Sequence, residues 1–151
     1  MPDEGRIKVT QLDAEVINIV DASSKKKIAL FNAARKPEIF LDGQEFPGLR
    51  QGSTPVSGIV FDNGEGDECG GIIFGSQRWE NGAYDQGLLL AFDAFRNDQA
   101  LCLSAEESGG KRSAGLEIWN RPTWSLVENL KAVQEMRTRG DKSGKQQWRA
   151  S

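Results

Sequence analysis

The sequence predicts one small, mainly antiparallel β domain of the sandwich or barrel kind. Three observations predict it. Apolar residues alternate with polar ones in short runs, seventeen glycines punctuate those runs, and turn signals recur at even spacing. A chain of 151 residues can bury roughly 68–70% of its unfolded surface, so a single core suffices without metals or staples. The predicted domain covers residues 1–139 and includes a C-terminal helix. Residues 140–151 form a polar tail without periodicity, of the composition that stays disordered.

Taken in order, Arg6–Thr10 alternates Ile7 and Val9 with polar neighbours, and Val16–Val20 is a second apolar run. Asp21-Ala22-Ser23-Ser24 reads as a turn. Lys27–Asn32 follows with Ile28 and Leu30 on one face and Ala29 and Phe31 on the other, a strand covered on both sides. Glu38–Leu41 is a short strand stopped by Asp42-Gly43, and Pro47 to Pro55 mark a loop. Ser57–Asp62 and Gly70–Phe74 flank a Gly-rich connector, and Leu88–Phe95 and Ala100–Ala105 flank Arg96-Asn97-Asp98, which makes two hairpins. A third turns at Ser108-Gly109-Gly110-Lys111 and returns through Ala114–Trp119. From Trp124 to Arg139 the period changes, with Leu126, Leu130 and Val133 at helical spacing, Val127 beside them and Gly140 as the stop. This helix is expected to pack on the barrel or plug one end, a partner-binding helix being the alternative.

Composition narrows the function. A net charge of −3 and a pI near 5.1 leave no basic stripe for nucleic acid, and Lys25-Lys26-Lys27 and the basic tail are short. The chain has no histidine, which removes Ser-His-Asp and Cys-His nucleophile pairs and the commonest transition-metal ligand. Cys69 and Cys102 cannot make a four-ligand zinc site. No stretch approaches the ~18 apolar residues of a membrane span, and Met1–Gly5 does not resemble a secretory leader. The expectation is a cytoplasmic protein with reduced thiols, without cofactor, metal, nucleic-acid or membrane partner.

Chemistry concentrates on two hairpins. Asp62-Asn63-Gly64-Glu65-Gly66-Asp67-Glu68 suggests a calcium loop, but the EF-hand's sixth and twelfth positions hold Asp67 and Ile73 instead of Gly and Glu. Crowded carboxylates on a hairpin raise at least one pKa, which allows general acid or base work without histidine; a solvated acidic turn is the plain alternative. Gly70-Gly71 marks a bend, a bulge or close backbone approach, and Cys69 beside it reads as a small buried hydrophobe. Asp93 shares a strand face with Leu89, Ala91 and Phe95, a costly setting for an unpaired charge. A two-residue turn at Arg96-Asn97 would set Asp93 with Asp98 and Cys102, whereas a three-residue turn would set it with Gln99 and Leu101. Structural pairing of these acids with Arg96 or Arg121 competes with any catalytic role. Trp119 and Trp124 read as packing residues.

Three segments in order carry a resemblance: Asn63–Gly71, Phe92-Asp93-Ala94-Phe95-Arg96-Asn97-Asp98-Gln99, and Gly115-Leu116-Glu117-Ile118-Trp119-Asn120-Arg121-Pro122. Over roughly residues 7–130 the chain resembles an uncharacterised bacterial family with a barrel similar to allene oxide cyclase, a calycin-like shape. The resemblance implies a closed antiparallel β-barrel of about eight strands, often in homo-oligomers. It supplies no activity and no catalytic residue, and the step from barrel to ring closure is analogy from fold.

The leading expectation is accordingly a small barrel isomerase or cyclase that fixes an apolar or amphipathic metabolite in its lumen. Glu68, Asp93 and Asp98 are its candidate acid/base groups. Asn63, Asp67, Cys69, Arg96, Gln99 and Arg121 are its candidate ligand-binding groups. A non-catalytic small-molecule-binding barrel is the second reading. A hydrolase with two carboxylates sharing a proton is the third, and an assembly or scaffold role is the remainder.

Overall fold

The computed structural model describes residues 5, 7–48 and 55–139. Among the described residues nine strands and one α-helix are formed: β1 Val16–Val20, β2 Lys26–Phe31, β3 Ile39–Leu41, β4 Gln44–Phe46, β5 Ser57–Asp62, β6 Glu68–Arg78, β7 Tyr84–Asp93, β8 Gln99–Ser108, β9 Lys111–Ile118 and α1 Val127–Thr138. A 3-10 turn, Ala33–Arg35, follows β2, with Asn32 Oδ1 accepting from the amides of Ala34 and Arg35. Seven strands form one antiparallel sheet in the order β1-β2-β5-β6-β7-β8-β9, and β3 pairs only with β4.

This sheet is open, which corrects the predicted closed barrel of about eight strands. β1 pairs with β2 and β9 with β8, and these two end strands do not meet. The physical reason lies in the strand supply. Residues 7–10, the first predicted strand, join no ladder (Arg6 lies outside the described residues). Ile39–Leu41 turns back on Gln44–Phe46 through Asp42 and Gly43, both at positive φ, instead of extending the main sheet. Seven strands remain, and the ladder has two free rims.

The register shows what each side of the sheet carries, because side chains alternate along a strand. One transverse row crosses all seven strands as Ile17-Leu30-Ile59-Ile72-Leu90-Leu103-Leu116. The next row on that face is Ile19-Ile28-Phe61-Gly70-Phe92-Leu101-Ile118. Between them, on the opposite face, runs Asn18-Ala29-Val60-Gly71-Ala91-Cys102-Glu117, a row of small residues. The small-residue face is buried at Ala29, Val60, Ala91 and Cys102, and Phe31 and Ile73 pack with Ala29 and Val60. Here the strands approach more closely than side chains permit: a Cβ on Gly71 would stand 2.4 Å from the Ile59 carbonyl oxygen. The large-residue face is half-buried along Ile28, Ile59, Phe61, Ile72, Leu90 and Leu101 and exposed at Ile17, Ile19, Leu30, Phe92, Leu103, Leu116 and Ile118.

A second core lies between the β3–β4 hairpin and α1. Leu41, Phe46 and Val127 are buried, with Ile39, Leu126, Leu130 and Val133 against them. The helical spacing of Leu126, Leu130 and Val133 thus serves this packing, and the apolar side of α1 is occupied. Asn97 ties the helix approach to the β7–β8 turn, its Nδ2 donating to the carbonyls of Pro122 (3.0 Å) and Trp124 (2.9 Å). The polar tail from residue 140 lies outside the described residues.

Candidate functional site

Turns and strand ends at one end of the sheet hold the nine residues singled out from the sequence, in three groups. In the first, Asn63 Oδ1 accepts from the amides of Glu65 (2.8 Å), Gly66 (3.0 Å) and Asp67 (3.1 Å), which closes the β5–β6 loop upon itself. Asp67 is fully buried and accepts from the Gly43 amide at 3.2 Å. Arg96, at φ 55, reaches Asp42 and Glu65, each at 3.1 Å, and its carbonyl accepts from the Leu126 amide. These contacts join the β3–β4, β5–β6 and β7–β8 turns to the start of the helix. Their consequence is structural.

In the second group Arg121 Nε donates to the Gln99 carbonyl at 2.6 Å, and its guanidinium lies 3.8 Å from Asp98 and 5.2 Å from the Trp119 ring. Asp98 Oδ1 accepts from the Gln99 amide at 2.8 Å. The third group surrounds Cys69, the extra residue of a bulge that sets Phe61 opposite Gly70 but Asp62 opposite Glu68. Burial pushes the Cys69 thiol up, and the negative charges of Asp93, Asp62 and Glu68 push it further, opposite to what a nucleophilic thiolate requires. Asp62 is almost wholly buried and lies 3.5 Å from Lys26 Nζ.

Asp93 resolves the open choice of turn. A second bulge pairs Asp93 with Gln99 while Phe92 stays opposite Leu101 and Ala91 opposite Cys102. Neither simple register holds, and Asp93 ends on the small-residue face beyond Ala91. Among the described residues, no group of three or more Cys, Asp or Glu is placed to hold a metal ion.

Two concave surfaces lie toward the other end of the sheet and include none of the nine residues. The larger, about 1050 Å³, is an open groove whose lining follows two further rows of the large-residue face. Ser57-Phe74-Leu88-Ala105-Ala114 is one row, and Ser76-Gln86-Glu107-Arg112 is the next. Gly75 and Gly87 stand opposite each other between these rows. Arg112 Nε donates to Glu107 Oε2 at 3.0 Å, with the arginine mostly in water and the glutamate mostly covered. Moving along this face, side chains therefore change from charged, to mixed, to wholly apolar within four rows. The smaller groove, about 580 Å³, includes Gln77, Trp79, Asp85, Leu89 and Ser108. There the Ser108 hydroxyl (2.7 Å) and then the Trp79 indole N–H (2.8 Å) hold the Asp85 carboxyl below the usual range.

The sequence reading missed this end because β6 and β7 run on past the apolar segments, to Arg78 and from Tyr84. The usable signal was the continued alternation Ile72, Phe74, Ser76. It fades into polar residues where the groove begins. No protein-family model, curated protein or solved structure matches the chain.

Proposed function

We propose that the protein is a non-catalytic binding module that holds an amphipathic small molecule in the 1050 Å³ groove. The observation that carries this is the ordered change of polarity across the rows. Phe74, Leu88, Ala105 and Ala114 offer an apolar floor, and Ser76, Gln86 and the Glu107–Arg112 pair offer hydrogen-bonding groups one row away. Ligand sites commonly combine a mainly apolar lining with a few placed polar groups. In this reading the apolar part lies over Phe74 and Leu88, and an anionic or hydrogen-bond-accepting head meets Arg112, Gln86 and Ser76. The non-catalytic form is supported by the engagement of Asp67, Asp98, Arg96 and Arg121 in turns and ion pairs away from the groove.

The test uses dansyl undecanoate, a fluorescent amphipathic anion, titrated into the full chain. Saturable one-site binding is expected. Leu88→Asn should weaken it by about tenfold, the scale of one lost apolar contact, and Arg112→Ala should weaken it by about threefold, as expected for an exposed charge. Asp93→Asn, on the opposite face, should leave affinity within about twofold. Absence of saturation, or a Leu88→Asn protein that binds as tightly as the parent, would reject the groove as the site.

A further inference from the structure

Beyond the groove, the two rows headed by Ile17 and Ile19 contain no charged residue and no hydrogen-bonding side chain. Seven of their members, Ile17, Ile19, Leu30, Phe92, Leu103, Leu116 and Ile118, are between 36% and 73% exposed. With large side chains offering on the order of 200 Å² each, the two rows leave roughly 800 Å² of contiguous apolar surface, above the 300–600 Å² of the largest patch on a typical monomer. That area matches the ≈ 800 Å² that each partner contributes to a stable interface of standard size.

We propose that a second copy of this chain covers this face, the two sheets packing face to face about a two-fold axis. The occupant follows from two features of the surface. The patch presents no charge for a partner of opposite sign, and a chain of net charge −3 is not drawn to an anionic bilayer. Its area is that of one side of a stable dimer. Apolar sheet faces pack against each other in this way in sandwiches, with the sheets ≈ 10 Å apart. A two-fold contact uses the same patch twice and so closes without growing further. The groove, one row outside the patch, stays open at the rim. The dimer thus goes beyond the proposed binding function and does not depend on it.

The experiment is light scattering after size exclusion on the full chain at tens of micromolar, with no ligand added. The expected mass is twice the 16.6 kDa of one chain. Leu103→Lys and Ile118→Lys, which place a charge in the middle and at the end of the patch, should each elute at one chain mass with an unchanged far-ultraviolet circular dichroism spectrum. Should either charged variant fail to fold, Leu116→Ser supplies the reading: its dimer Kd should rise about tenfold or more. A parent protein of one chain mass overturns the proposal. So does a trimer or larger assembly, co-elution of the parent with added phosphatidylcholine vesicles in place of a dimer, or a Leu116→Ser dimer as tight as the parent.

Discussion

Asp21 shows how much one exposed residue can organise. Its Oδ1 accepts from the Ser23 hydroxyl (2.6 Å), the Ser23 amide (2.8 Å) and the Lys25 amide (3.1 Å), and Lys27 Nζ lies 3.2 Å from Oδ2. These bonds, the Ser23 hydroxyl foremost, hold the carboxyl well below its usual 3.8. A carboxyl with a lowered folded-state pKa stabilises the fold above its unfolded value, and that contribution is lost progressively as pH falls from there through the lowered folded value. The melting temperatures of the parent and Asp21→Asn should therefore differ by a constant amount from pH 7 to about pH 5, and the gap should narrow steadily as pH falls below the unfolded 3.8. A gap that persists unchanged at pH 2.5 would mean the charge is irrelevant there. The turn itself was legible in Asp21-Ala22-Ser23-Ser24. At the candidate site the same kind of legibility reaches the loops but not their partners. Asn63, Asp67, Arg96 and Asp98 are polar residues in the right loops for chemistry, yet their partners are backbone amides and neighbouring turns. Nothing in a single sequence distinguishes a carboxylate aimed at a ligand from one aimed at an amide 24 residues away.

Among the elements, alternation located most strands because half-buried strands repeat with period two. The hairpin at Ser108-Gly109-Gly110-Lys111 is a clear instance: Gly109 and Gly110 take φ 55 and 77, as a two-residue turn of type I′ demands. The sequence did not reveal β4, whose Gln44-Glu45-Phe46 carries a single apolar residue to bury. Nor could it reveal which glycines are structural. Gly71 lies on the small-residue face against the Ile59 carbonyl, whereas Gly115, on the same face in β9, has open space where a Cβ would go. Gly71→Ala should lower unfolding free energy by about 2–3 kcal/mol through overpacking, and Gly115→Ala should change it by less than about 1 kcal/mol, in the stabilising direction. Urea denaturation of both variants checks this. Equal effects would show that the strand approach at Gly71 yields without cost.

For the whole molecule, closure is where the sequence falls silent. A barrel wall and an open sheet with apolar side chains on both faces have the same alternation, as Ile28, Leu30, Ala29 and Phe31 illustrate in β2. Whether the first strand meets the last depends on pairing at a separation of about a hundred residues, which no local pattern records. Here they do not meet, and the two rims differ in kind. β9 presents Lys111, Arg112 and Glu117, but Val16-Ile17-Asn18-Ile19-Val20 presents no charge. Charges on an unpaired strand discourage further strands from adding, and an uncharged one invites them. Any fibrous growth of this protein should accordingly have a polarity, seeding at β1 and stalling at β9. A lysine at Asn18, on the small-residue face, should lengthen the thioflavin T lag several-fold, while Ser113→Lys on the guarded rim should leave it unaltered. A purification that stalls in precipitate would then be cured at a single residue near the start of the chain, with the groove at Phe74 and Leu88 and the central strands left as they are.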